Sequence, residues 1–202
     1  MPRLVQAIRF ARTPVLLLAL GLMISACGVN TIPTLEEQAK AKWSDVQNQY
    51  QRRADLIPNL VETVKGYATQ EREVLTQVIE ARAKATQVKV DASTVTDPSK
   101  FKEYQEAQNA LTGALGRLLV TVERYPDLKS NQNFLALQSQ LEGTENRIAV
   151  ARRDYIEAVR VYNTELKTVP GVIWASTLYR SYKPMETFSA PTDAQRAPAV
   201  KF

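Results

Sequence analysis

The chain has 202 residues, a formal net charge of +5, one cysteine and no histidine. The absence of histidine excludes Ser-His-Asp triads, His-ligated zinc sites and the Glu-x-x-His di-iron sites of helical bundles. A single cysteine also excludes an internal disulfide, so the folded state must be stabilised by packing.

The first 26 residues have the features of a bacterial secretion signal. Three arginines and no acidic residue precede an apolar run over residues 15–26, which is shorter than the ~20 residues that span a bilayer. The only cysteine, Cys27, closes the sequence Ile-Ser-Ala-Cys, the lipobox pattern in which the thiol receives acyl chains such as palmitate. We predict that residues 1–26 are a removable lipoprotein signal peptide and that Cys27 is lipidated. The alternative is an unmodified cysteine after an uncleaved hydrophobic anchor.

Removal of the signal peptide changes the expected location and partners. The three arginines are lost with it, so the formal charge falls from +5 to +2 and nucleic acid is not expected as a partner. The predicted location is the cell envelope, outside the cytoplasm, with the membrane bound through Cys27. Gly28 stands where an aspartate is associated with inner-membrane retention. In a cell with two membranes this favours the outer membrane, facing the periplasm.

The first half of the remaining chain predicts a short tether followed by helix. Residues 27–34 contain a proline and have no periodicity, whereas apolar residues recur at three- and four-residue steps from Trp43 onward. Pro58 removes a backbone donor, so we expect the helix to be kinked or broken there. Asp55 is placed to cap the segment that follows.

The second half predicts two more long helices. Asp97-Pro98 is a typical helix start, and an apolar seam continues to about Tyr125. Gly113 and Gly116 lie inside this helix, which suggests a patch where another helix packs closely. The last helix is predicted over about residues 130–168 and is stopped by Pro170-Gly171.

These patterns predict an all-α protein. Short connections between long amphipathic helices make neighbours antiparallel, so residues 35–170 are expected to form an up-and-down four-helix bundle, with the pieces on either side of Pro58 counted separately. Residues 171–202 carry aromatic residues between prolines. We interpret them as an irregular tail whose aromatic residues pack on the bundle before the chain loses order.

Several motifs resemble the LemA family of bacterial proteins. The similar segments follow one another in unbroken order and comprise residues 51–67, 110–118, 125–129, 131–134 and 143–149. The resemblance implies a membrane-tethered, extracytoplasmic four-helix bundle of no established biochemical activity. The lipobox replaces the N-terminal transmembrane helix usual in the family, which changes the expected topology but not the tethering.

A polar series occupies core positions of the predicted helices. Gln138, Glu145 and Arg152 are spaced seven residues apart on the last helix, and Gln108 and Arg53 hold equivalent positions on two others. Buried charges must be paired, so these side chains are expected to meet one another or an adjacent partner such as Arg147. The series predicts either a hydrogen-bonded layer that fixes helix register, a recognition groove, or a catalytic or small-ligand site.

The functional prediction is a non-catalytic scaffold or adaptor for other envelope proteins, whose identity the sequence does not give. No cofactor and no metal are expected. The alternative is a small-ligand-binding or enzymatic bundle that uses the polar layer around Glu145.

Overall fold

The computed structural model describes residues 28–88, 91 and 93–189, and its regular structure is helical throughout. Its elements are α1 (Thr31–Tyr67), α2 (Arg72–Gln87), a 3-10 turn (Thr94–Thr96), α3 (Pro98–Val122), α4 (Pro126–Lys129), α5 (Gln132–Glu165) and α6 (Gly171–Thr177). The predicted all-α class is confirmed. The predicted signal peptide and Cys27 lie outside the described residues, as do residues 190–202 of the predicted tail.

The long helices enclose two apolar cores. α1 packs along α5, and α2 packs on both α3 and α1. The α2-side core lies where α2 covers the other long helices, and it includes Ile57, Val64, Val78, Leu118 and Phe134. The strap-side core lies at the other end of α1 and includes Trp43, Tyr50, Phe101, Tyr155 and Phe188. The up-and-down four-helix topology stays a prediction.

The predicted irregular tail is wrong over residues 171–177, which form α6. Residues 183–189 have no regular secondary structure, and this segment, here called the strap, closes the strap-side core. The hydroxyl of Tyr155 donates to the Glu186 carbonyl at 2.8 Å, and the Glu186 amide donates to the Val95 carbonyl at 2.7 Å. The Asn163 side chain both donates to and accepts from the Met185 backbone at 2.9 Å. Tyrosine and asparagine side chains of α5 thus satisfy a backbone that has no neighbouring strand.

Of the two outcomes predicted at Pro58, the break is wrong, because α1 continues without interruption from Thr31 to Tyr67. The kink stays a prediction. Proline has no N–H to donate to the carbonyl four residues earlier, which belongs to Ala54. That carbonyl instead accepts a hydrogen bond from Nε of Arg82 on α2, at 2.7 Å. Asp55 therefore caps nothing and accepts from Gln51 Nε2 at 2.7 Å on the same helix.

The bond between Arg82 and Ala54 gives a prediction for a double-mutant cycle. Ala54 is buried, so Arg82→Ala should cost about 1–3 kcal/mol by leaving its carbonyl unpaired. In a Pro58→Ala background, the new N–H can satisfy that carbonyl, and the cost of Arg82→Ala should shrink. Urea denaturation of the four chains measures the coupling. Equal costs in both backgrounds would contradict this account of Pro58.

α1 begins at Thr31, inside the predicted tether 27–34. Pro33 falls in the first turn, where its missing N–H has no intrahelical acceptor to lose. Gly28 just before the helix has φ of +108°, a conformation that favours glycine. The tether is therefore shorter than the sequence pattern predicts.

Two of the long helices, α3 and α5, begin directly after a capping residue. Asp97 accepts hydrogen bonds from the backbone amides of Ser99 at 2.9 Å and Lys100 at 3.3 Å, as expected at a helix N-terminus. Asn131 accepts from the Phe134 amide at 3.0 Å. These two caps fix where α3 and α5 begin.

The close-packing interpretation of Gly113 and Gly116 is wrong. Both glycines are exposed on α3. A side-chain carbon at Gly113 would meet only Arg117 Nη1, at 3.7 Å, and one at Gly116 would meet no described atom within 4 Å. The buried apolar residues of α3 lie on one side of the helix, and the two glycines lie on the opposite, solvent-facing side.

Because space is open at both glycines, Gly113→Ala and Gly116→Ala should each stabilise the fold by about 0.5–1 kcal/mol. The gain comes from the lower backbone entropy of the unfolded chain and the higher helix propensity of alanine. Thermal denaturation followed by circular dichroism measures it. A loss of stability would show that another surface approaches α3 there.

Candidate functional site

The candidate site is a polar layer that separates the two apolar cores. On α1, Arg53 lies between Tyr50 of the strap-side core and Ile57 of the α2-side core. On α3, Gln108 lies between Tyr104 and Leu111 in the same way. Glu145 lies on α5 between members of the two cores. Three helices therefore place polar side chains at one level of the molecule.

Arg53 is the centre of this layer and is only 1% exposed. Its Nη1 donates to Thr112 Oγ1 and to Glu145 Oε1, both at 2.8 Å. Its Nη2 donates to Gln108 Oε1 at 2.7 Å and to the Gln108 carbonyl at 3.2 Å. Gln108 Nε2 in turn donates to the Ala85 carbonyl of α2 at 3.3 Å. One guanidinium thus joins α1, α3 and α5, and α2 through Gln108.

The electrostatics of the layer are asymmetric. The Arg53 side chain is buried, whereas the side chain of its carboxylate partner Glu145 is 41% exposed. The Arg53 guanidinium also lies 5.0 Å from the ring centre of Tyr50, a cation–π contact. Its Nε–H finds no acceptor among the described residues. The cation is held mainly by neutral oxygens and by one carboxylate that reaches in from the surface.

Two members of the predicted series do not join Arg53. Gln138 donates to Glu142 Oε1 at 3.0 Å on its own helix. The Arg152 guanidinium lies 4.3 Å above the ring centre of Phe188 in the strap. The reason is helical geometry, because seven residues at 1.5 Å per residue separate these positions by about 10.5 Å along the axis of α5. Residues 138, 145 and 152 therefore lie at different levels of the molecule, and Glu145 is the one that meets Arg53.

Thr112 belongs to the layer and is absent from the sequence prediction. Its hydroxyl accepts from Arg53 and donates to the Gln108 carbonyl at 3.1 Å. Thr112 stands four residues after Gln108, so both lie on one face of α3. That spacing was the signal that could have identified it.

A cavity of about 120 Å³ lies beside the layer, lined by residues that include Tyr50, Tyr104 and Gln108. Sites for small organic ligands usually measure about 300–1,000 Å³, so this space suits a few water molecules. Burial raises the pKa of both tyrosines above the ordinary value, and their hydroxyls stay protonated at neutral pH. Neither can serve as a general base there.

The part of the chain that the structure describes contains no cluster of side chains that could bind a metal ion. No group of three acidic or cysteine side chains is close enough there to hold an ion.

None of the helices among the described residues combines the length and apolarity needed to cross a membrane.

The fold and the layer define an all-helical protein whose two apolar cores are divided by a buried arginine network. The family model described as LemA matches residues 42–202. The chain belongs to the LemA family.

Three curated relatives share part of the chain. "Magnetosome protein MamQ 2" of Paramagnetospirillum magneticum is 27% identical over 157 residues, which cover 70% of this chain and 58% of the relative. "Magnetosome protein MamQ" of Magnetospirillum gryphiswaldense is 25% identical over 186 residues, 80% of this chain and 68% of the relative. "Protein LemA" of Metamycoplasma hominis is 25% identical over 123 residues, which cover 61% of this chain and 52% of the relative. The chain thus spans 58% of the length of MamQ 2.

Proposed function

We propose that this protein is a lipid-anchored envelope protein that acts as a non-catalytic scaffold or adaptor. Acylated Cys27 holds an up-and-down four-helix bundle at a membrane surface, and the outer faces of the bundle bind other envelope proteins. The short tether supports this proposal, because α1 begins at Thr31, four residues after Cys27. Two relatives are named for a structure, the magnetosome, rather than for a reaction.

The observation that carries the proposal is that the terminal nitrogens of Arg53 and the amide of Gln108 are hydrogen-bonded within the polar layer. Both terminal nitrogens of Arg53 donate to acceptors of the chain, and the amide of Gln108 both accepts and donates within it. A layer whose groups are bonded to one another suits the structural role of fixing helix register. Recognition is therefore assigned to the outer surface.

Photo-crosslinking in cells tests the adaptor role. Crosslinking side chains are placed at exposed apolar positions on three helices, Ile79 of α2, Val120 of α3 and Val150 of α5. We expect a discrete partner to be captured from one of the three faces and to be lost in a Cys27→Ala chain. Capture of the same proteins from all three faces would contradict a specific adaptor.

The anchor has an independent test. The mass of the N-terminal peptide from the membrane-extracted protein should show a chain that begins at Cys27 and carries acyl groups. A wild-type chain that retains residues 1–26 with a free thiol would refute the lipid anchor.

The alternative is a ligand-binding or enzymatic bundle that uses the layer around Glu145, and the partly exposed Glu145 carboxylate, through which the layer reaches the surface, is the observation in its favour. Native mass spectrometry of freshly purified protein would reveal a bound metabolite. Glu145→Gln separates the two functions. A register role predicts lower thermal stability, whereas a ligand site predicts lost binding with stability nearly unchanged.

A further inference from the structure

Exposed apolar side chains concentrate around α6. Val169 is 78% exposed and Leu178 is 64% exposed, and between them Val172 and Ile173 also face outward, at 39% and 51%. Aliphatic side chains this exposed and this close together are unusual on a surface that meets only water. Val172 and Ile173 lie on α6, Val169 precedes it and Leu178 follows its last residue, so the four lie within ten residues of one another in the chain.

The orientation of α6 is fixed by its opposite face. Trp174, Ala175 and Tyr179 pack against the strap-side core. Gly171 lies directly on the end of α5, where a side-chain carbon would overlap the Glu165 carbonyl. α6 therefore cannot turn its exposed residues inward without losing these contacts.

Three basic side chains accompany the apolar ones, and Glu165 is the acidic residue that contacts the start of α6. Lys167, Arg180 and Lys183 are exposed, and residues 166–183 contain no aspartate or glutamate. In the following text, the four aliphatic residues and these three basic residues are called the α6 patch. Apolar and basic side chains together are typical of segments that lie in the interface of an anionic membrane.

The α6 patch lies beside the start of the described chain. A side-chain carbon at Gly28 would lie 3.5 Å from Cγ of Pro170, and α6 also contacts α1. Gly28 directly follows Cys27. An acyl chain on Cys27 would therefore bring the membrane surface to this end of the molecule.

We propose that the α6 patch rests on the anionic lipid surface of the membrane that holds Cys27. This inference depends on the lipid anchor of the proposed function and adds the orientation of the domain. The aliphatic side chains enter the interface, and the basic side chains contact lipid phosphates. The long helices then project the distant end of the molecule away from the membrane.

Tryptophan probes in the reconstituted full-length protein test this orientation. Ile173→Trp places a probe in the α6 patch. Val120→Trp is the control, because Val120 is an aliphatic residue near the other end and is even more exposed, at 72% against 51% for Ile173. The residues flanking Val120 belong to the same core as Val64 of α1. Val64 is 33 residues beyond Thr31, so it lies about 50 Å along the helix from the end that carries the α6 patch, at 1.5 Å per residue. Both chains are placed in phosphatidylglycerol vesicles with brominated acyl chains, which quench tryptophan only by contact.

We expect the emission added by Ile173→Trp to lose several-fold more intensity to brominated lipid than the emission added by Val120→Trp. Changing Lys167, Arg180 and Lys183 together to glutamine should reduce this quenching more in phosphatidylglycerol than in phosphatidylcholine vesicles. Equal quenching at the two probes would overturn the inference. A position-173 probe that is shielded from water but not quenched by lipid would also overturn it, because a protein segment, such as residues 15–26, would then cover the patch.

The mass of the Cys27 peptide from the same samples separates the two proposals. An acylated Cys27 without selective quenching at position 173 refutes the orientation and leaves the anchored adaptor standing. An unacylated Cys27 refutes the lipid anchor, whereas selective quenching in that sample still supports the patch.

Discussion

Replacing Arg53 by alanine should lower the free energy of unfolding by about 3–5 kcal/mol. The change removes four hydrogen bonds that join α1 to α3 and α5. It leaves the buried amide of Gln108 without its donor and opens a cavity where a fully buried side chain stood. Urea denaturation followed by far-UV circular dichroism measures the loss.

Two variants sharpen the Arg53 prediction. Arg52→Ala is the matched control, because Arg52 is exposed on the same turn of α1, and it should change stability by no more than about 0.5 kcal/mol. Glu145→Gln should cost only about 1 kcal/mol, since its oxygen can still accept from Arg53 and its partly exposed charge is screened by solvent. Equal losses for Arg53→Ala and Arg52→Ala would refute the structural role of the layer.

The position of the layer between two apolar cores makes Arg53 sensitive to the register of α1 against α3 and α5. If α1 slipped by one turn relative to α3 and α5, Arg53 would enter an apolar core and leave its acceptors behind. The free-energy cost of an unpaired buried charge disfavours that alternative packing. We infer that Arg53 sets the helix register, as polar residues do in coiled coils.

Much of the helical structure could be predicted from local patterns, because apolar periodicity and caps such as Asp97 act within a few residues. The continuity of α1 could not. The carbonyl that Pro58 leaves without its helical donor accepts from Arg82, which is 28 residues from Ala54 in sequence and approaches only when α2 packs on α1. A rule based on neighbouring residues predicts a break at Pro58 because it contains no donor from another helix.

The candidate site shows the same limit. Residue type and spacing suggested that Arg53, Gln108 and Glu145 would meet, and the structure joins them. Gln138 and Arg152 share the spacing, but each lies about 10.5 Å from Glu145 along α5 and has other partners. Periodicity identifies the buried side of a helix, while the partners at each level depend on how the helices pack.

Replacing Phe188 by alanine should cost about 3–5 kcal/mol and release the strap from the bundle. The Phe188 ring lies 5.0 Å from Phe101, 5.9 Å from Tyr155 and 6.0 Å from Trp43 between ring centres. The Arg152 guanidinium packs on it from outside. Leu178→Ala is the matched control in the same C-terminal segment, because Leu178 is exposed, and it should change stability by no more than about 0.5 kcal/mol.

The titration of Tyr155 shows whether the strap has been released. Burial raises the pKa of Tyr155 above its ordinary value of 10.0, and the nearby Glu186 carboxylate adds to the effect. Because the folded-state pKa exceeds the unfolded one, the stabilisation from the neutral hydroxyl is present below pH ~10 and is lost as the pH rises above that value. In Phe188→Ala the hydroxyl gains water, so Tyr155 should ionise nearer to its ordinary range and stability should fall less steeply above pH ~10. Tyrosinate formation is followed by absorbance as the pH is raised, and comparison with a Tyr155→Phe chain isolates the contribution of Tyr155. If the Tyr155 titration is the same in Phe188→Ala as in the wild type, the strap stays bound without its aromatic contact.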